Sequence, residues 1–243
     1  HSESLYFSSG DICLSAPYAQ ALESSSAYGL IFRVHRFTLS LHSPVFRDMF
    51  DLPEQPGANV MYDGVTLVQM PDSAEDIEAL LYAFYHGYEL PFPRLHPGTP
   101  NAVKGILKMA NKYQVDKIRR IIIERLESDW PQSLADWRRL EAEIEVMGSD
   151  GWAHVEDPDT MVHLHLDRRL PEPASAIRLA QEYNIPSILP AAYYQLSRLT
   201  VEYDTESVEQ DAEAFVMTHG IVQRTAQWSL LEGRDFMRVL RGQ

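Results

Sequence analysis

Cysteine is nearly absent. The chain of 243 residues has one, Cys13, so no disulfide forms within it and no zinc site can be built on cysteines. That economy points to a reducing, intracellular compartment, cytoplasmic or nuclear. Long apolar runs are missing too: none reaches the roughly 18 residues that span a bilayer. The opening HSESLYFSSG lacks the basic start and apolar core of a secretory signal. Basic residues are in deficit, 21 against 35 acids, for a net charge of −14. Such a chain repels phosphate backbones, which argues against direct nucleic-acid binding. Arg119, Arg120 and Arg125 cluster, as do Arg138 and Arg139, but both groups fall in helical patterns with acids nearby and read as solvated helix faces.

Catalytic signatures are missing as well. The chain has no glycine-rich phosphate loop, no GxSxG elbow and no HExxH. Cys13 falls in an apolar run and reads as a small core residue. Glu141, Glu143 and Glu145 alternate, a spacing that does not place them together on one helix face. One pattern would suit a metal: His163-x-His165, with His154, Asp157 and Asp159 nearby. Alternate residues of a strand point the same way, so the two histidines would share an ion. Leu164 and Leu166 take the other face, and a half-exposed strand with polar histidines outward has the same pattern. A metal-dependent enzyme using His163 and His165 is therefore the remote alternative. The expectation is no cofactor, no metal and no catalysis.

The patterns that are present describe a scaffold. DICLSA and LIFRVH read as strands; in the second, Leu30, Phe32 and Val34 share one face, and Arg33 and His35 the other. Val65–Met70 is another strand, ended by Pro71. The stretches 19–28 and PEQPGANVMYDG read as loops. Ser73 suits a helix cap with Asp76 three residues on, and Ile77, Leu80, Leu81 and Phe84 form one buried stripe. Pro91, Pro93, Pro97 and Pro100 make a stiff connection. Val103, Ile106, Leu107 and Ala110 form a second stripe, and Ile118, Ile121, Ile122 and Leu126 a third, ended by Trp130-Pro131. Leu134, Trp137, Leu140 and Ile144 suggest a further helix. Residues 147–173 read as a long loop, with a hairpin at MVHLHL, and the tail offers helical stretches around Phe215 and Trp228.

The chain also echoes itself. LKMANKYQVDKI from Leu107 aligns with IRLAQEYNIPSI from Ile177, pairing Met109 with Leu179, Ala110 with Ala180, Tyr113 with Tyr183, Val115 with Ile185 and Ile118 with Ile188. The shared residues are apolar or turn-forming, so the echo concerns packing, and it predicts two helix–turn–helix units.

The order of DICL, FRVHR, LSLHSPVFRDMF, VTLVQMPDS and EDIEALLYAFYHG resembles the BTB/POZ domain. The wording of YFSSGDICL, FRVHRFTLSLHSPVFRDMF and MPDSAEDIEALL is similar to the BTB proteins of basidiomycete fungi, as are YQVDKIRRIIIERLESDWPQSLADW and AQEYNIPSILPAAYYQLS. The resemblance implies an α+β fold, with a BTB/POZ domain over residues 1–130 and a mostly helical extension over 131–243 that contains the long loop at 147–173. It implies a non-enzymatic protein–protein interaction module that forms homodimers. Such a module serves as a substrate adaptor for a cullin-type ubiquitin ligase, or alternatively as a transcriptional regulator acting through corepressor partners. Neither nucleic acid nor membrane is an expected partner. In dimeric members an aspartate near the first strand and a basic residue at the start of the first helix form a buried charged pocket at the interface. Asp11 and Arg36 occupy the matching places. The N-terminal element that dimeric animal members exchange between subunits is expected to be absent or shortened. Phe46, Met49 and Phe50, after the helix start at Ser43-Pro44, are the candidate partner surface, with burial in the core as the competing reading.

Overall fold

A computed structural model describes residues 1–19, 29–52, 60–150, 169–202, 204–205 and 224–242. The chain divides into two compact units that interleave along the sequence. The first comprises His1–Glu89 and Gly105–Arg120, the second Leu90–Lys104 and Ile121–Gln243.

The first unit is built on a four-stranded mixed sheet. Its strands are β1 (Ile12–Pro17), β2 (Gly29–Val34), β3 (Met61–Tyr62) and β4 (Val65–Gln69), in the order β2-β1-β4-β3. β1 pairs antiparallel with β2, Leu14 opposite Phe32, and parallel with β4, Leu14 opposite Val68. As the central strand, β1 is covered on both faces, so Ile12, Cys13, Leu14 and Ala16 are all buried and its sequence reads as an apolar run rather than an alternation. Two features depart from the sequence reading. The end of the expected loop PEQPGANVMYDG is a strand: β3 pairs antiparallel with β4 across Asp63 and Gly64, whose φ of 50° and 78° are the left-handed pair that a two-residue hairpin requires. The N-terminal segment also joins the sheet. Ser2 donates its N–H to Ile31 O, Arg33 donates to Leu5 O and Phe7 donates to Arg33 O, so a bent segment follows β2 in parallel, bridging it at Tyr6 and Arg33, with Leu5 buried.

Helices α1 (Arg36–His42), α2 (Pro44–Asp51) and α3 (Ala74–His86) follow the strands. Ser73 caps α3 by accepting the Asp76 N–H, and Ile77, Leu80, Leu81 and Phe84 are buried along its stripe as expected. The unit also takes in the end of α4 (Thr99–Lys112) and the start of α5 (Asp116–Asp129). Between them the chain turns tightly. Tyr113 donates to Met109 O at 2.9 Å and Val115 to Ala110 O at 2.8 Å, with Gln114 at φ 53°.

The second unit repeats that turn. Tyr183 donates to Leu179 O at 3.0 Å and Ile185 to Ala180 O at 2.8 Å, with Asn184 also at φ 53°. The ten apolar residues paired by the sequence echo are buried in both copies. Here the turn joins α7 (Pro173–Glu182) through a short 3₁₀ segment, Pro186–Ile188, to α8 (Leu189–Leu196). The unit further contains α6 (Leu134–Asp150) and a last helix, α9 (Gly233–Gly242). α6 runs on to Asp150, past the point where the loop was expected to begin. Leu134, the first residue of α6, is exposed. Trp137 packs edge-on against Tyr194, with Arg198 over both rings and paired with Glu141 at 2.8 Å. His154, Asp157, Asp159, His163, His165 and Phe215 lie outside the described residues.

Candidate partner interface

The join between the sheet and the first helices is a polar region of the first unit held by several side chains. β2 ends at Val34, and His35 is held on three sides. Its N–H donates to the Tyr85 hydroxyl at 2.9 Å, its Nδ1 bonds that same hydroxyl at 2.9 Å, and its Nε2 bonds Ser9 Oγ at 3.0 Å. The Tyr85 oxygen thus accepts the backbone N–H while the same hydroxyl meets Nδ1, and Ser9 meets the other ring nitrogen. Phe7 packs against both rings. His35 is therefore a clamp at the strand end.

One residue on, the Arg36 N–H donates to Asp11 Oδ1 at 2.7 Å. A carboxylate here satisfies an amide that has no partner inside the helix and faces the positive end of α1. Asp11 and Arg36 thus meet within one chain, through the backbone of Arg36. The Arg36 guanidinium lies over the Phe50 ring, 5.4 Å from its centre. Phe37 and Leu41, four residues apart on α1, are 75% and 66% exposed.

α2 starts at a built cap. Ser43 Oγ accepts the Phe46 N–H at 3.2 Å and donates to the Tyr113 carbonyl at 2.6 Å, with Pro44 at the first helical position, where no amide is needed. Phe46 then stacks on Tyr113, ring centres 4.7 Å apart, and is fully buried. The reading of Phe46 as partner surface is corrected: it is core, placed there by the stack. Met49 and Phe50 are half-buried. The exposed apolar pair of this region is Phe37 and Leu41, whose i, i+4 spacing in RFTLSLH is the signal that would have found it. Below α2, the buried Asp72 receives Lys112 Nζ at both oxygens, 2.7 and 2.6 Å, and the Tyr113 hydroxyl at 2.6 Å. Burial, together with this bond to Asp72, pushes the Tyr113 phenol up.

Burial pushes the Cys13 thiol up, away from the thiolate a nucleophile needs. His42 stacks on Phe84, and burial, then the Lys117 charge, pushes its imidazole down. Among the described residues no group of three or more His, Cys, Asp or Glu side chains is placed to hold a metal ion. The second unit has an open cleft of about 480 Å³ lined by His96, Asn101, Glu172 and Arg224 among others. Its carboxylate is committed elsewhere: Glu172 accepts the N–H groups of Ala174, Ser175 and Gln227. His96 Nδ1 takes the Gly98 N–H. Among the described residues no helix is long and apolar enough to cross a membrane.

Residues 23–129 match the family model of the BTB/POZ domain, and the mixed sheet with its flanking helices is the fold that match implies. A search of curated proteins finds no match to the chain.

Proposed function

We propose, on the premise of a BTB/POZ domain at residues 23–129, that the protein is a non-enzymatic interaction module that self-associates through α1 and holds partners for a larger assembly. A BTB/POZ domain is a protein-interaction module; the adaptor role and the homodimer are the further reading. The observation that carries it is the exposed pair Phe37 and Leu41 on a helix whose start is fixed at both His35 and Arg36. Burying a large apolar side chain is worth about 1.5–3 kcal/mol, so two in each of two copies form the centre of a symmetric contact. Such a contact would bring Asp11 and Arg36 under cover together, as in the charged pocket of dimeric relatives. A pocket of that kind fixes register more than it adds stability.

Light scattering on the purified chain tests the dimer. The expected result is a dimer at tens of micromolar that Phe37→Asp with Leu41→Asp converts to a folded monomer. A monomeric parent chain overturns it. The adaptor role in a cullin-type ubiquitin ligase is tested by pull-down from extract. Recovery of a cullin supports it, and recovery of corepressors without cullin favours the regulatory alternative. The likeness to basidiomycete BTB proteins belongs to this same proposal.

A further inference from the structure

The last helix shows a second, unrelated face. α9 has the sequence GRDFMRVLRG. Its start is fastened by Asp235, a fully buried carboxylate that accepts Gln181 Nε2 at 2.6 Å, the Tyr193 hydroxyl at 2.6 Å and the Glu232 N–H at 3.1 Å. Burial acts to raise this carboxyl, but the bonds from Tyr193, Glu232 and Gln181 outweigh it and hold the group below its ordinary value. One edge of α9 is thereby fixed to α7 and α8.

The opposite edge is apolar and open. Phe236, Met237 and Leu240 lie at i, i+1 and i+4, on one side of a helix of 3.6 residues per turn, and are 38%, 48% and 63% exposed. Trp228 extends the strip by stacking on Phe236. Beside it runs a row of arginines, Arg234, Arg238 and Arg241, at i, i+4 and i+7, all exposed. Arg234 leans on Glu232 at 3.0 Å and Arg238 on the Tyr193 hydroxyl at 3.0 Å. Three arginines against one buried aspartate make this helix basic in a chain whose net charge is −14.

We propose that this face of α9 docks an acidic amphipathic helix from a partner protein. An apolar strip flanked by one row of like charge is the half of a helix pair whose other half has apolar residues opposite the strip and carboxylates opposite the row. The placement of the arginines favours a helix over a lipid surface. A helix lying in a bilayer interface is rich in Lys and Arg across the polar face opposite its apolar one. Here one flank alone is basic, because the other is packed on its own unit through Asp235. A second copy of α9 supplies no carboxylates to meet the arginine row, since the exposed charges on its own face are the same three cations.

The test uses the full chain and a fluorescein-labelled synthetic peptide with leucines on one helical face and glutamates beside them. A lysine counterpart and phosphatidylserine vesicles serve as the other arms. The glutamate peptide is expected to bind, more weakly at high salt, with the lysine peptide inert. Arg234→Gln, Arg238→Gln and Arg241→Gln together weaken it about tenfold. Leu240→Glu, a change at an exposed position that leaves every arginine in place, weakens it as well, with the circular dichroism of α9's unit unchanged. The proposal is overturned if the glutamate peptide fails to bind, if the lysine peptide binds equally, if either variant binds like the parent, or if only the vesicles bind. Since the face lies outside residues 23–129, its failure leaves the α1 contact untouched, and the reverse holds too.

Discussion

Asp129 is 2% exposed, and its pKa is pushed from 3.8 up to about 6 by burial, against the opposing pull of the Leu95 N–H, Arg125 and Arg94. Its Oδ1 accepts the Leu95 N–H at 2.9 Å, which holds a residue at φ 70° in the proline-rich connection. The raised value means that folding disfavours the ionised form. The associated stability is complete below pH 3.8 and is lost as pH rises through about 6. The gap between the two values corresponds to about 3 kcal/mol. Asp129→Asn keeps an oxygen for the Leu95 N–H and removes the buried charge. Urea unfolding of both proteins, followed by tryptophan fluorescence across this range, isolates the group, because every other carboxylate cancels in the difference. The variant is expected to match the parent below pH 4 and to exceed it by about 2–3 kcal/mol above pH 7. A difference that is flat with pH, or a variant less stable than the parent at neutral pH, refutes the reasoning.

Tyr113→Phe removes one of the donors to the buried Asp72 and is expected to lower stability by about 1.5–3 kcal/mol in the same denaturation assay. Ser43→Ala removes the α2 cap and the bond to the Tyr113 carbonyl, at a cost of about 1–2 kcal/mol. Gln114→Gly, at φ 53°, relieves a left-handed backbone and is expected to be neutral or stabilising by thermal unfolding, whereas Gln114→Val destabilises.

Much of the scaffold was legible because it rests on local chemistry. The β1 run, the Ser73 cap, the stripe from Ile77 to Phe84 and the five residue pairs of the internal echo each follow from periodicity or a capping side chain, and each is buried or bonded as expected. What was not legible depends on long-range partners. Phe46 and Met49 sit on a similar stretch of helix, and only the Tyr113 ring, supplied from far along the chain, decides that Phe46 is core. Residues 2–7 have no strand alternation of their own; they bend along β2 and hold to it through a single bridge at Tyr6 and a few backbone bonds. The β3 hairpin was within reach, since Asp63-Gly64 is a strong turn signal, but a preceding proline- and glycine-rich stretch masked a strand of two residues. The placing of Asp11 against Arg36 came from likeness to a family, and the geometry adds that the contact runs through the amide of Arg36.

The N-terminal segment along β2 has a consequence for how the sheet meets other chains. An open sheet edge is a template for further strands, and chains that leave a long one bare tend to grow into aggregates. Here one edge is closed by the chain's own residues 2–7, with the buried Leu5 anchoring them, and the other ends in a strand of only two residues. Among the described residues neither offers a long flat run to a stranger. Association is thereby steered away from the backbone and onto helix surfaces, where side chains choose the partner. Trimming the first seven residues should therefore reopen the β2 edge and turn a selective binder into a sticky one.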